Sequence, residues 1–239
     1  MSWSLIRFEY QINAHYIDNP YRIRICSLWR VRMRIAIFAS GSGSNVESIM
    51  RASREGRLEA DVELILSNNP KAGVLEKAQA YEIKHSVIES SDFESEAEYV
   101  NTLSEILDAE KINFIALAGY LKMIHPDLIE KYNNRITNIH PALLPSFGGK
   151  GYYGKRVHEA VLAAGCKVSG VTVHIVDKDY DRGPIVAQTC VPVLDDDTPE
   201  SLAGRVLIEE HKIYPDTLQL FAENRVVVKD GKATITEKT

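Results

Sequence analysis

Cysteine is scarce in this chain: three among 239 residues, at Cys26, Cys166 and Cys190, odd in number, widely spaced and without a C-x-x-C pair. That excludes a disulfide framework and a thiolate zinc site and fits a reducing, cytoplasmic setting. Long apolar runs are missing too. No stretch approaches the ~20 residues that a bilayer requires, so no membrane partner is expected. Positive charge is not in excess, because 28 Lys and Arg face 33 Asp and Glu for a net charge of -5. Such a balance supplies no global field for gripping a nucleic acid, so the expected ligand is small or met by a local basic site. None of the seven histidines belongs to an H-E-x-x-H pair or a Cys-His cluster, so no metal is expected. A G-x-S-x-G nucleophile elbow is absent as well.

What is present is an ordinary globular composition, 45% hydrophobic and 26% charged, at a length that suits one domain or a domain with a tail. Residues 1–32 stand apart: five arginines, no lysine and two acids give +3, against -8 in the remainder. This segment has no apolar core of the signal-peptide kind and no clear period. It is expected to be a disordered or mis-started extension ahead of a natural beginning at Met33, with an organelle transit peptide as the alternative.

From Met33 the pattern alternates. Arg34–Ala39 is a short apolar run, followed by Ser40-Gly41-Ser42-Gly43-Ser44-Asn45 and then helical spacing through Met50, which reads as strand, glycine turn and helix. Strands are expected at 62–66, 84–88, 114–118 and 135–139. Helices are expected at 73–81, from a capping box at Ser91–Glu94 to about Glu110, and at 126–132. Strands alternating with helices imply an α/β, Rossmann-like three-layer fold with a mostly parallel sheet. After residue 166 the runs 168–176 and 185–193 suggest an antiparallel C-terminal edge, with Pro192 at an edge position. Thr198-Pro199-Glu200 opens a long helix, interrupted or kinked at Pro215, and Asp230-Gly231 centres a terminal hairpin. Residues 33–239 are therefore read as a single domain.

Three segments carry chemistry. Ser40–Asn45 opens a helix after the first strand, so its backbone N–H groups can hold an anion, and phosphate is the natural occupant. It is neither a dinucleotide fingerprint, since Val46 stands where the third glycine would be, nor a P-loop, since no G-K-[ST] follows. Asn138-Ile139-His140-Pro141 lies at the end of a predicted strand, where open α/β sheets bind ligands, and alternation puts Asn138 and His140 on one face. An amide donor beside an imidazole suits acyl transfer, with Asn138 stabilising an oxyanion and His140 donating or relaying a proton. Asp181, in the acidic loop before Arg182-Gly183, is expected to hold His140 toward its protonated form by raising its pKa. The bland alternatives are a plain turn, a satisfied polar histidine and a solvated acidic loop.

Taken in order, Ser40–Asn45, Asn138–Pro141 with Leu143-Leu144-Pro145, and Gly170–His174 through Asp181-Arg182-Gly183 resemble the phosphoribosylglycinamide formyltransferases, the folate-dependent enzymes of purine synthesis. The resemblance runs from Met33 to roughly Arg225. It implies formyl transfer from the co-substrate 10-formyltetrahydrofolate to the amine of glycinamide ribonucleotide, without metal or covalent enzyme intermediate, and leaves a homodimer open. Residue by residue it implies Asn138, His140 and Asp181 as catalytic, and Gly43, Ser44 and Asn45 as the phosphate segment. Glu210 falls near the ribose, and Leu121, Lys122, Met123 and Ile124 along the folate pocket. Lys150 lies in a glycine-rich loop, Phe147–Gly154, read as a mobile cover. One departure is Glu96, where many relatives carry an arginine that contacts the folate. Methionyl-tRNA formyltransferase and formyltetrahydrofolate hydrolase share the core but call for an RNA-contacting domain or a leading regulatory module. A non-catalytic binding module would not require Asn138, His140 and Asp181 together.

Overall fold

In the computed structural model, which describes residues 32–238, β1 (Met33–Phe38) is buried on both faces. Its side chains alternate between two cores. Ile35 and Ile37 join one apolar cluster, and Ala36 and Phe38 join the other. A strand with two apolar faces needs cover on both, and the helices supply it. Helices α1 (Ser44–Arg54), α2 (Val74–Ala80), α5 (Lys155–Ala163) and α6 (Pro199–Ala222) contribute Val46, Val74, Val161 and Tyr214 to the first cluster. Helices α3 (Glu96–Ala109) and α4 (Pro126–Lys131) contribute Leu103 and Leu128 to the second.

The remaining strands are β2 (Ala60–Ser67), β3 (Lys84–Val87), β4 (Phe114–Leu117), β5 (Ile136–His140), β6 (Val168–Ile175) and β7 (Ile185–Pro192). The sheet runs in the order β3-β2-β1-β4-β5-β6-β7. The first five strands of that order are mutually parallel, whereas β5–β6 and β6–β7 are antiparallel. The three-layer α/β expectation and its antiparallel edge therefore hold. The chain order reverses between β1 and β4, and a crevice outside the carboxyl ends of the strands at such a switch point is where ligands bind. Strands β8 (Val226–Lys229) and β9 (Lys232–Ile235) form the expected hairpin, with Asp230 and Gly231 both at positive φ.

Three expectations need correction or fall elsewhere, and one helix is additional. The helix expected from Ser91 begins at Glu96: Ser95, not Ser91, is the cap, accepting from the Glu98 N–H, and Ser90–Asp92 form a 3₁₀ turn instead. Helix α5 was not foreseen. It begins at a glycine without a side-chain cap and carries Lys155 and Arg156 in its first turn, which oppose the helix dipole. Helix α6 runs on through Pro215 without interruption. Buried Ile213, Tyr214 and Leu218 flank the proline, and the Tyr214 hydroxyl donates to the Leu117 carbonyl at 2.9 Å, so packing supports the helix on both sides of it. The extension expected over 1–32 lies outside the described residues except for Arg32, which pairs with Asp61 at 3.0 Å.

Candidate active site

The turn after β1 is built before any ligand arrives. Ser40 is buried, and its hydroxyl donates to Asn68 Oδ1 at 2.6 Å while accepting the Leu121 N–H at 3.0 Å. Ser40 therefore ties the turn to the segments after β2 and β4 and is committed to structure. Gly43 caps α1 with φ 74°, and a Cβ there would lie 2.6 Å from Val74 Cγ2. Only glycine meets both demands. No side chain caps α1, so its first-turn N–H groups lack helical partners and face outward with the positive helix end. Gly43, Ser44 and Asn45 thus make a candidate anion cradle. Asn45 reaches sideways and donates through Nδ2 to Glu210 of α6 at 2.5 Å, while its Oδ1 is buried without a partner. Burial pushes the Glu210 carboxyl up, and the Asn45 bond only partly offsets this.

A second group assembles at the ends of β5 and β6. Asn138 Nδ2 lies 3.3 Å from Asp181 Oδ1, and His140 Nδ1 lies 3.6 Å from Asp181 Oδ2. The three predicted residues, distant in sequence, converge on one wall of a cavity of about 420 Å³. Asp181 adopts φ 55°, an uncommon conformation that an aspartate tolerates, and the Gly149 N–H donates to its Oδ2 at 2.8 Å. On the other side His140 Nε2 donates to the Phe147 carbonyl at 2.8 Å, which leaves Nδ1 as the nitrogen facing Asp181. The glycine-rich loop is therefore tethered by its backbone to both members of the pair. Lys150 in that loop lines the same cavity.

Asp181 pulls the His140 pKa upward as expected, but it does not set the net direction. Burial pushes the His140 pKa down and outweighs the upward pull of the Asp181 carboxylate and the Phe147 carbonyl, while the His174 ring adds to the lowering. For Asp181, burial pushes upward, but the adjoining His174 and His140 rings and the Gly149 N–H outweigh it and hold the carboxyl below its ordinary value. Both groups are thus biased toward their unprotonated forms.

Leu121, Lys122, Met123 and Ile124 line the same cavity. Leu121 and Met123 are more than half exposed, whereas Ile124 is turned into the core beneath. With Tyr152 they give an apolar slot of the kind that a flat heterocycle fills, and the polar group shares its lining. Glu96 is not part of this lining: it lies in the first turn of α3, 3.9 Å from His125 Nε2. Neither the anion cradle nor Glu210 lines the cavity. The two groups meet through Ser40, which carries the first and bonds to Leu121 of the second.

Sequence reasoning missed His174 as a separate member of this group. It is buried, paired directly across the sheet with Asn138, and its Nε2 lies 3.1 Å from Asn138 Nδ2. The only signal was its place in a β-rich run that leads to Asp181. Among the described residues no group of three or more His, Cys, Asp or Glu is arranged to hold a metal.

The formyl transferase family model matches residues 33–218. The chain is 44% identical over 201 residues to the chloroplastic phosphoribosylglycinamide formyltransferase of Vigna unguiculata, covering 84% of this chain and 64% of that one, so it spans just under two thirds of that relative's length. It is 38% identical over 186 residues to phosphoribosylglycinamide formyltransferase of Bacillus subtilis, covering 78% and 93%. The crystal structure of glycinamide ribonucleotide transformylase 1 from Symbiobacterium toebii superposes with a TM-score of 0.81 at 37% identity, covering 86% of this chain and 95% of that one.

Proposed function

The chain belongs to the formyl transferase family, and from that premise we propose that it transfers the formyl group of 10-formyltetrahydrofolate to the amine of glycinamide ribonucleotide. The observation that carries this reading is the convergence of Asn138, His140 and Asp181 on the lining of an apolar cavity, with a separate candidate anion cradle nearby in the fold. A phosphorylated amine held at the cradle and a formylated heterocycle held against Leu121–Ile124 would bring their reacting atoms together beside these three residues.

The residues then have distinct tasks. The amine nitrogen bonds to the formyl carbon, and the Asn138 N–H donates to the oxygen that gains charge. Asp181, a carboxylate at rest, accepts the proton that the attacking nitrogen must lose. As the carbon–nitrogen bond to the folate breaks, that proton passes to the departing nitrogen, directly or by way of His140. Because His140 begins neutral, the negative charge growing beside it is what raises its proton affinity, and it acts as a relay instead of a standing cation. Residues 33–239 form the single domain that does this. Glu210 serves the ribose through its bond to Asn45, and no metal takes part.

The chloroplastic relative supports the organelle reading of the arginine-rich start over the cytoplasmic one, and mass spectrometry of the mature N-terminus from fractionated cells tests it. For the reaction, the test offers three acceptors with 10-formyltetrahydrofolate: glycinamide ribonucleotide, charged initiator tRNA and water. Turnover with the ribonucleotide is expected to dominate, and preference for either other acceptor overturns the proposal. The division of the site has its own test. Asn45→Ala should raise KM for the ribonucleotide about 10-fold, the size of a lost hydrogen bond to a charged group, and leave the folate KM unchanged. Equal effects on both constants would remove the division.

A further inference from the structure

His174 occupies the centre of a hydrogen-bond arrangement that admits few protonation patterns. Its Nδ1 lies 2.9 Å from the Ile175 carbonyl, which can only accept, so Nδ1 carries the proton. At the other end of the ring, Nε2 faces Asn138 Nδ2 at 3.1 Å. An amide NH₂ is a donor only, so at this contact, shorter than the 3.5 Å between Nε2 and Asp181 Oδ1, it is the Nε2 lone pair that meets the amide. The amide is fixed in turn. Reversed, Asn138 would present its oxygen to that lone pair and to Asp181 Oδ1, placing acceptor against acceptor on both sides.

Building on the formyl-transfer reading, we propose that His174 is a positioning residue: its Nε2 acceptor, set by the Ile175 carbonyl, decides which way the Asn138 amide faces and so supplies the oxyanion donor in working orientation. One Asn138 N–H is directed to His174 at 3.1 Å and serves as the anchor. The other reaches Asp181 Oδ1 over 3.3 Å, and this longer bond is the one released. When Asp181 takes the amine proton its oxygen becomes a poorer acceptor, and the N–H it releases is available to the oxygen that gains charge. Proton uptake and oxyanion stabilisation are thereby coupled through one side chain.

A double-mutant cycle tests this, because its coupling term separates positioning from general structural support. His174→Leu should lower kcat at least 10-fold with KM for both substrates within twofold. His174→Gln, whose side-chain oxygen can accept near the place of Nε2, should recover most of that loss. In an Asn138→Ala background, His174→Leu should cost nothing more. Equal loss in both backgrounds, or no advantage of Gln over Leu, overturns the proposal. Full activity of Asn138→Ala alone would instead bring down the formyl-transfer assignment of Asn138, and the proposal with it. Should the Leu variant fail to fold, ¹⁵N NMR of the wild-type imidazoles decides. A bare Nε2 on His174 supports the anchor, and a protonated Nε2 overturns it.

Discussion

Asp181→Asn should lower kcat by about 10³, within the 10²–10⁴ range of positioned proton transfer, while KM for both substrates stays within about threefold. The substitution keeps shape and leaves no buried charge unpaired, so the fold should persist. What changes is chemistry. The carboxylate offers one oxygen to Asn138 and the other to the Gly149 N–H. An amide has a single oxygen, so one of those contacts becomes donor against donor, and the group that receives the amine proton is gone. The pH profile gives an independent check. Both His140 and Asp181 are held below their ordinary values in the free protein. For a base that must be unprotonated, activity is full above its pKa and falls as pH drops through it. The acid limb of kcat/KM should therefore lie below the ~6.5 of an ordinary histidine, and in Asp181→Asn the component due to the carboxylate should vanish. A folded Asp181→Asn protein retaining more than a tenth of wild-type turnover would remove Asp181 from the proton path.

The layered sheet and most of its elements were legible because each rests on local rules. The run 34–39 is short and apolar and meets a glycine turn, which needs no knowledge of the rest of the chain. The same holds for Asp230-Gly231, where two consecutive positive-φ residues are what an Asp-Gly hairpin turn requires. Where two local signals competed, sequence could not choose. Ser91–Glu94 and Ser95–Glu98 both fit a capping pattern, and only packing of Val100, Leu103 and Leu107 against the sheet selects the second. The site divides in the same manner. Asn138 and His140 share a strand and could be paired by alternation. Asp181 could be offered as a partner of His140 from its acidic loop, and the family resemblance strengthened that pairing, because the turn that folds it back spans a different part of the chain. His174 escaped since its meaning comes from the β5–β6 register, which sets it opposite Asn138. The net direction of the His140 pKa was not legible because burial, the larger effect, is a property of the folded molecule alone.

That dependence of the site on strand geometry predicts a second large effect, at a residue that touches no substrate. Gly183→Ala should both destabilise the fold, by about 1–3 kcal/mol or more as overpacking does, and lower kcat at least 10²-fold at temperatures far below unfolding. A Cβ on Gly183 would lie 1.9 Å from the Ile175 carbonyl oxygen, a backbone atom that cannot rotate away. That same oxygen accepts the His174 Nδ1–H, and Gly183 stands two residues beyond Asp181. Relief of the clash must move either the end of β6, which turns His174, or the loop before β7, which carries Asp181. Either movement separates the carboxylate from Asn138 and His140, where displacements of about 1 Å are costly. Gly204 provides the contrast. It lies within α6 with no atom inside 4 Å of a built Cβ and no positive φ, so Gly204→Ala should be neutral or stabilising by up to about 1 kcal/mol with unchanged kcat. Thermal melts and steady-state rates on the two variants measure both quantities. If Gly183→Ala melted and turned over like the wild type, the close passage of the two strands would not be what holds Asp181 against its partners.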